Sequence, residues 1–298
     1  MLRPFRLHEP TTVDEATSLL ADLGDAARPY AGGTELLLAM KAGVLSYDHL
    51  VNVKTVAGLD GIELDAGVLR IGAAVTHREL ESSAVLRERF ALLASVERRV
   101  ANVRVRNVGT LGGNLCFAEP HSDPGTALLL YDASVEVAGP SGRRSIAVEA
   151  LASGPYETAL ADDELMTRID VPELPAGMAG AYLKFGYHQR PTLGVGVAVR
   201  LSDGARPAIE DVRVALGSVS PRPLRLRDVE DRLRGHSASD AVALAAGEAG
   251  DLAAAASEAV DDLHGSAEYK RHVTKVYLGR ALEQAIEAAL AAVPVRGV

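Results

Sequence analysis

Twice in this chain a pair of glycines stands beside a helix-forming run. The stretch YAGGTELLLAMKAG begins at Tyr30, and TLGGNLC begins at Thr110, about eighty positions on. Glycine has no Cβ, so a glycine pair admits backbone conformations and close approaches that other residues forbid. Two readings follow. The pairs can be tight turns between strand and helix. They can also be places where backbone N–H groups come close to a phosphate, with no side chain in the way.

The chain has 298 residues, 48% hydrophobic and 24% charged. That is ordinary globular composition and enough for two or three domains. The formal net charge is −9, so there is no positive surplus with which to neutralise a nucleic acid. With no Trp and 4% aromatic residues, a stacking platform for single strands is not expected either. Cys116 is the one cysteine. It permits no intrachain disulfide, and it cannot supply the four thiolates of an iron–sulfur cluster. The N-terminal MLRPFRLHEP has no apolar stretch of the secretory kind, and no apolar run reaches the roughly 18 residues of a membrane span. A cytoplasmic protein without a membrane span is expected.

The periodicity divides the chain into three parts. In residues 1–56, Thr12 and Glu15 form a capping-box pattern before a helix with apolar positions Ala16, Leu19, Leu20 and Leu23, stopped at Gly24. ARPYAGG reads as a short strand running into the first glycine pair. The following helix takes Thr34 as N-cap and ends at Gly43, and HLVNV is a buried strand. Residues 57–176 open with two strands around a turn at Asp65–Gly67. THRELESS and LRERFALLASVERRVA read as one helix each, VRVRNVGTLGGNLC reads as strand-like, and DPGTALLLYDASVEVAG as a helix followed by a strand. Residues 177–298 give three strands, AYLKFGY, LGVGVAVRLSDG and IEDVRVALGSV, and then alanine-rich helices. The last helix carries Leu278, Ala281, Leu282, Ala285, Ile286, Ala289 and Leu290 on one face. The fold class is α+β.

Several motifs are missing. There is no Walker P-loop, no H-E-x-x-H and no G-x-S-x-G elbow, and the eight histidines do not cluster at metal-ligand spacing. GVGVAV begins like a dinucleotide fingerprint but has Val199 where a small residue belongs.

The segments RPYAGGTELLLAMKAG, RNVGTLGGNLCFAEPHSDP and AYLKFGY together resemble the FAD-binding medium subunit of the molybdenum hydroxylases, the family of xanthine dehydrogenase and carbon monoxide dehydrogenase. The similarity runs nearly end to end, from FRLHEPTTVDEATSLLAD to DLHGSAEYKRHVTKVYLGRALE. It implies a vanillyl-alcohol-oxidase (PCMH)-type FAD-binding fold of two α/β subdomains, with a C-terminal domain of a three-stranded antiparallel sheet and helices. It implies non-covalently bound FAD, an oxidoreductase role, and electrons arriving from [2Fe–2S] clusters on a partner and leaving to an external acceptor. A small iron–sulfur subunit and a large subunit carrying the molybdenum cofactor would complete a heterotrimer or its dimer. A stand-alone flavin-dependent oxidoreductase acting on a small organic substrate is the alternative.

The resemblance also assigns residues. Pro29, Tyr30, Ala31, Gly32, Gly33, Thr34, Glu35 and Leu36 match the first cofactor loop. Thr110, Leu111, Gly112, Gly113 and Asn114 match the second, and the FAD diphosphate is expected between the two. Ala101 is expected near the flavin. Asp123 matches an acidic residue that contacts the ribityl or adenosine part; taken alone it reads as a helix N-cap. Leu165 matches an apolar position near the adenine or isoalloxazine, or is a core leucine. Lys184 matches a lysine that reaches the flavin; taken alone it reads as a solvated edge residue. After Lys184 the chain leaves the family pattern. Tyr187, Pro191 and Thr192 stand where an arginine, an acidic residue and an aromatic are common, with Tyr187 or His188 as the ring neighbour. No residue is nominated as a general acid or base, because the cofactor carries the chemistry.

Overall fold

A computed structural model describes residues 2–186 and 190–292. Tyr187 and His188 therefore lie outside the described residues. The chain forms two compact units, residues 1–119 with 132–173 and residues 120–131 with 174–298.

The first unit holds two sheets. β1 (Arg6–His8), β2 (Ala27–Tyr30) and β3 (His49–Asn52) form a parallel sheet with β3 in the middle. Between β1 and β2 runs α1 (Val13–Leu23), started by the Thr12 hydroxyl on the Glu15 N–H and stopped at Gly24. Glu15 reaches back to the N–H of Thr11 rather than of Thr12. After β2 the first glycine pair leads into α2 (Leu36–Ala42).

β4 (Ile62–Asp65) and β5 (Val68–Gly72) are joined by Ala66 and Gly67, both with positive φ. That is the turn geometry that suits the right-handed strand twist. They belong to an antiparallel five-stranded sheet ordered β4-β5-β10-β6-β7. One apolar cluster ties α1 to both sheets through Ala16, Leu20, Val51, Leu59 and Leu165.

The helical middle of this unit departs from the expectation in two places. α3 (His77–Ser82) begins at a full capping box between Thr76 and Glu79. The next stretch, read as one helix, is two: α4 (Ala84–Arg89) and α5 (Ala91–Glu97). Phe90 breaks it with φ −129° and ψ 43° while its ring is buried. Further on, VRVRNVGTLGGNLC is not strand-like but folds as α6 (Val103–Arg106) and α7 (Leu111–Phe117). The alternation of Val and Arg loses to two caps. Asn102 Oδ1 accepts from the N–H groups of Arg104 and Val105, and Thr110 Oγ1 accepts from that of Gly113.

The chain then leaves for α8 (Asp123–Leu129), which belongs to the second unit, and returns as β6 (Ser134–Gly139), β7 (Gly142–Ala147), α9 (Val148–Leu151), β8 (Ala152–Gly154), β9 (Glu157–Thr158) and β10 (Leu165–Pro172).

In the second unit β11 (Met178–Phe185), β12 (Leu193–Leu201), β13 (Ile209–Gly217) and the two-residue β14 (Leu224–Arg225) form an antiparallel sheet in that order. The three strands read from the sequence gain this short fourth. Helices α10 (Arg227–Leu233), α11 (Ala238–Ala246), α12 (Glu248–Ala256) and α13 (Ala267–Ala292) follow. Strand β12 is covered on both faces. Val195, Val197 and Val199 join the cluster that holds Leu278, Leu282 and Ala285 of α13. Gly194 and Gly196 face the other way: a Cβ on Gly196 would stand 2.7 Å from Leu130, just past α8. The GVGV run is thus a strand whose alternate glycines admit a close helix. On α13 the expected apolar face is buried apart from Leu290, which is 49% exposed.

Candidate functional site

The first glycine segment leaves β2 and turns before α2. Gly33 has φ +66°, a conformation that suits glycine. A Cβ there would meet the Tyr30 ring at 2.5 Å and Leu37 at 3.0 Å. A Cβ on Gly32 would stand 2.2 Å from the carbonyl oxygen of Val108. Hydrogen bonding within the helix begins with Leu37 N–H to Gly33 O. The N–H groups of Gly32, Gly33 and Thr34 make no hydrogen bond among the described residues. The cap of α2 is Glu35 with no side-chain cap bond, so Thr34 is not the N-cap. Its hydroxyl lies near Gly109, 3.6 Å from where a Cβ on that residue would be.

The second segment meets the first at several points: Gly32 abuts Val108 and Gly109, and Gly113 lies against Ala31. Its backbone is otherwise occupied. Leu111 N–H donates to Val75 O, Gly112 N–H to Ala73 O, Gly113 N–H to Thr110 Oγ1 and Asn114 N–H to Thr110 O. Gly112 is glycine for a packing reason, because a Cβ would stand 2.5 Å from Ala73 O. The expectation that both segments offer several N–H groups therefore holds for the first and not for Leu111 to Asn114. Further along α7, burial pushes the Cys116 thiol up to about 11, with the charge of Arg28 acting in the opposite sense. The thiol stays protonated at neutral pH and is a poor nucleophile.

Of the remaining site candidates in this unit, Pro29 and Tyr30 end β2. Ala101 is exposed and holds φ +42° without being glycine. Leu165 is buried in the same apolar cluster against which Ala31 packs.

Asp123 and Lys184 belong to the second unit, and there they meet. Asp123 is the first residue of α8, after the cap position Ser122. Its carboxylate does not cap the helix. Oδ2 accepts from Lys184 Nζ at 2.9 Å and Oδ1 from the Tyr182 hydroxyl at 2.8 Å. The side chains of the ion pair are 7% and 6% exposed. A buried charge needs a partner of opposite sign, so Lys184 is no solvated edge residue. Gly194 makes room: a Cβ there would lie 2.2 Å from the Tyr182 oxygen. At the described end of the departing segment, Gly186 has φ +95°, Thr192 N–H donates to Phe185 O, and Pro191 and Thr192 are buried.

Two family models match this chain. Residues 3–174 match the FAD binding domain in molybdopterin dehydrogenase, and residues 188–285 the CO dehydrogenase flavoprotein C-terminal domain. The chain belongs to the FAD-binding medium subunits of the molybdenum hydroxylases. It is 34% identical to the carbon monoxide dehydrogenase medium chain of Hydrogenophaga pseudoflava, over 94% of this chain and 96% of that one. It is 33% identical to the nicotine 6-hydroxylase medium subunit of Paenarthrobacter nicotinovorans, over 95% and 98%. The solved structure of the Hydrogenophaga pseudoflava carbon monoxide dehydrogenase that lacks the Mo-pyranopterin moiety matches with a TM-score of 0.89 at 33% identity, over 98% and 99%.

For a medium subunit of this family, the first segment fits the cofactor on its own geometry. Three consecutive N–H groups without a hydrogen bond among the described residues, two of them on glycines where a Cβ would collide with the protein, suit a phosphate oxygen. Sequence reasoning did not find Tyr182 on Asp123, nor the buried pair His77 and Glu97 beside the second segment. Gly194 was the available signal for the first, since a glycine in mid-strand marks a close approach.

Proposed function

We propose that this flavoprotein is the electron-transfer subunit of a molybdenum hydroxylase, working with a small iron–sulfur subunit and a large molybdopterin subunit in a heterotrimer or its dimer. When bound, FAD would supply the redox chemistry, taking electrons from [2Fe–2S] clusters of the partner and passing them to an external acceptor. What this chain does is bind and orient. Gly32, Gly33 and Thr34 donate backbone N–H groups to the diphosphate, with Pro29, Tyr30, Ala31, Glu35 and Leu36 shaping the loop around them. Thr110, Leu111, Gly112, Gly113 and Asn114 form the wall against which that loop is packed. Ala101 and Leu165 lie toward the cofactor from residues 57–176, which with residues 1–56 make the FAD-binding part. Asp123 accepts from a cofactor hydroxyl, and Lys184 is a fixed positive charge beside the flavin.

The observation that carries this reading is the run of N–H groups at Gly32–Thr34 that have no hydrogen bond among the described residues. No helix among the described residues is long and apolar enough to cross a membrane, and a cytoplasmic location is part of the proposal. The test is affinity purification of the tagged chain from its native cell. The expected result is co-purification of a small cysteine-rich chain and a large chain, with molybdenum, iron and acid-releasable FAD. A yellow chain that purifies alone, without metal, and whose flavin is reduced directly by a small organic substrate would instead establish a stand-alone oxidoreductase.

A further inference from the structure

A buried pair beside the second glycine segment has no part in the reading above. His77 opens α3 and Glu97 ends α5, with side chains 3% and 0% exposed. His77 Nδ1 lies 2.6 Å from Glu97 Oε2. The other carboxylate oxygen, Oε1, is buried with no hydrogen-bond partner among the described residues. The opposite edge of the imidazole is turned toward the glycine segments. Its Cδ2 lies 3.4 Å from the point a Cβ on Gly109 would occupy, and the Thr34 hydroxyl is 3.6 Å from that same point. The backbone fixes this placement: His77 N–H donates to Gly109 O, and Thr76 is bridged to Thr110. Nε2, the ring atom next to Cδ2, makes no hydrogen bond among the described residues.

We propose that His77 is a phosphate-contacting residue of the FAD site, donating Nε2–H to the diphosphate while Glu97 holds the opposite nitrogen and balances the charge. The inference rests on the FAD reading given above. The chemistry is that of histidine. A ring whose Nδ1 faces a carboxylate keeps its proton there, so Nε2 donates only when the ring is cationic. In the cation both ring nitrogens donate, Nδ1–H to the Glu97 carboxylate and Nε2–H to a phosphate oxygen. The other charged groups nearby have their own partners. Arg78 and Arg106 pair with Glu81, and Glu79 caps Thr76.

A mere strut between α3 and α5 would use only Nδ1, and two variants separate the roles. In His77→Asn the amide reproduces Nδ1 and can keep Glu97 while the Nε2 edge is lost. In His77→Gln the amide nitrogen stands near Nε2 and the hold on Glu97 is lost. The deflavinated full chain is titrated with FAD, and melting is followed in parallel. The expected result is a Kd about tenfold or more higher for His77→Asn, with the melting temperature nearly unchanged. His77→Gln is expected to melt earlier yet keep FAD affinity within about threefold. Wild-type binding with equal binding by His77→Asn overturns the role of His77 and leaves the FAD reading standing. Failure of the wild type to bind FAD removes both. Should His77→Asn not fold, nitrogen NMR of the histidine-labelled wild type decides. The Nε2 signal of His77 should shift on addition of FAD, and an unmoved signal overturns the proposal.

Discussion

The two glycine segments look alike in sequence and do different work. AGGT leaves three backbone N–H groups, at Gly32–Thr34, without a hydrogen bond among the described residues, whereas in TLGGN the N–H groups from Leu111 to Asn114 are all bonded within the protein. Gly33 is glycine for its φ of +66°, and the atoms a Cβ would meet there are the ends of movable side chains, Tyr30 and Leu37. Gly112 is glycine because the Ala73 backbone leaves no space. A glycine pair therefore does not by itself announce a phosphate. The diagnostic is where the N–H groups go. On the proposed reading one pair makes the contact surface for the cofactor, and the other holds that surface in place.

The largest effect should come from the packing side. Gly112→Val drives a branched side chain into backbone that cannot yield, so it should cost about 3 kcal/mol of stability. Denaturant unfolding of the apoprotein would show this as a lower midpoint. Gly33→Val should reverse the pattern. Its conformational strain is on the order of 1–3 kcal/mol, partly relieved by the side chains that can move, but flavin occupancy should fall more than about tenfold. Equal stability losses with equal flavin losses would erase the distinction between the segments.

A gentler pair sharpens it. Thr110 caps α7 through Gly113 N–H, so Thr110→Ala should lose about 1 kcal/mol. Thr34 makes no cap bond, so Thr34→Ala should change stability by less than about 0.5 kcal/mol. The smallest effect concerns pH. Burial raises the Glu81 carboxyl, but hydrogen bonds from Arg78 and Arg106 more than offset this and hold it below its usual 4.5. The stability it lends to α6, just ahead of the second segment, is full above that value. It is lost as pH falls through the lower folded value. Glu81→Gln should therefore be less stable than wild type by under about 1 kcal/mol at neutral pH, with the difference vanishing in acid. A constant difference down to strongly acidic pH would contradict the assignment.

Much of this was legible in the chain. The helix start at Thr12, the helix in THRELESS, the turn ending at Gly67 and the buried face of α13 apart from Leu290 follow from local rules, and they fold as read. The misread stretches share a cause. In VRVRNVGT the alternation spoke for a strand, yet Asn102 and Thr110 offered side-chain caps that made helices cheaper. In RERFALL a buried Phe90 took precedence over helix continuity. At the site, the glycines and the charge types of Asp123 and Lys184 could be picked out in sequence. Their pairing across 61 positions, with Tyr182 as third member, could not. The same holds for the division of labour between the glycine segments. It depends on Ala73 and Val75, whose carbonyl groups take the N–H groups of Gly112 and Leu111 and whose side chains carry no signal.

Amide hydrogen exchange on the full chain, with and without FAD, tests that division most directly. The amides of Gly32, Gly33 and Thr34 should exchange quickly in the apoprotein and become protected when FAD is added. Those of Leu111, Gly112, Gly113 and Asn114 should be protected in both states. Unchanged exchange at Gly32–Thr34 on adding FAD, or new protection confined to Leu111–Asn114, would contradict the account.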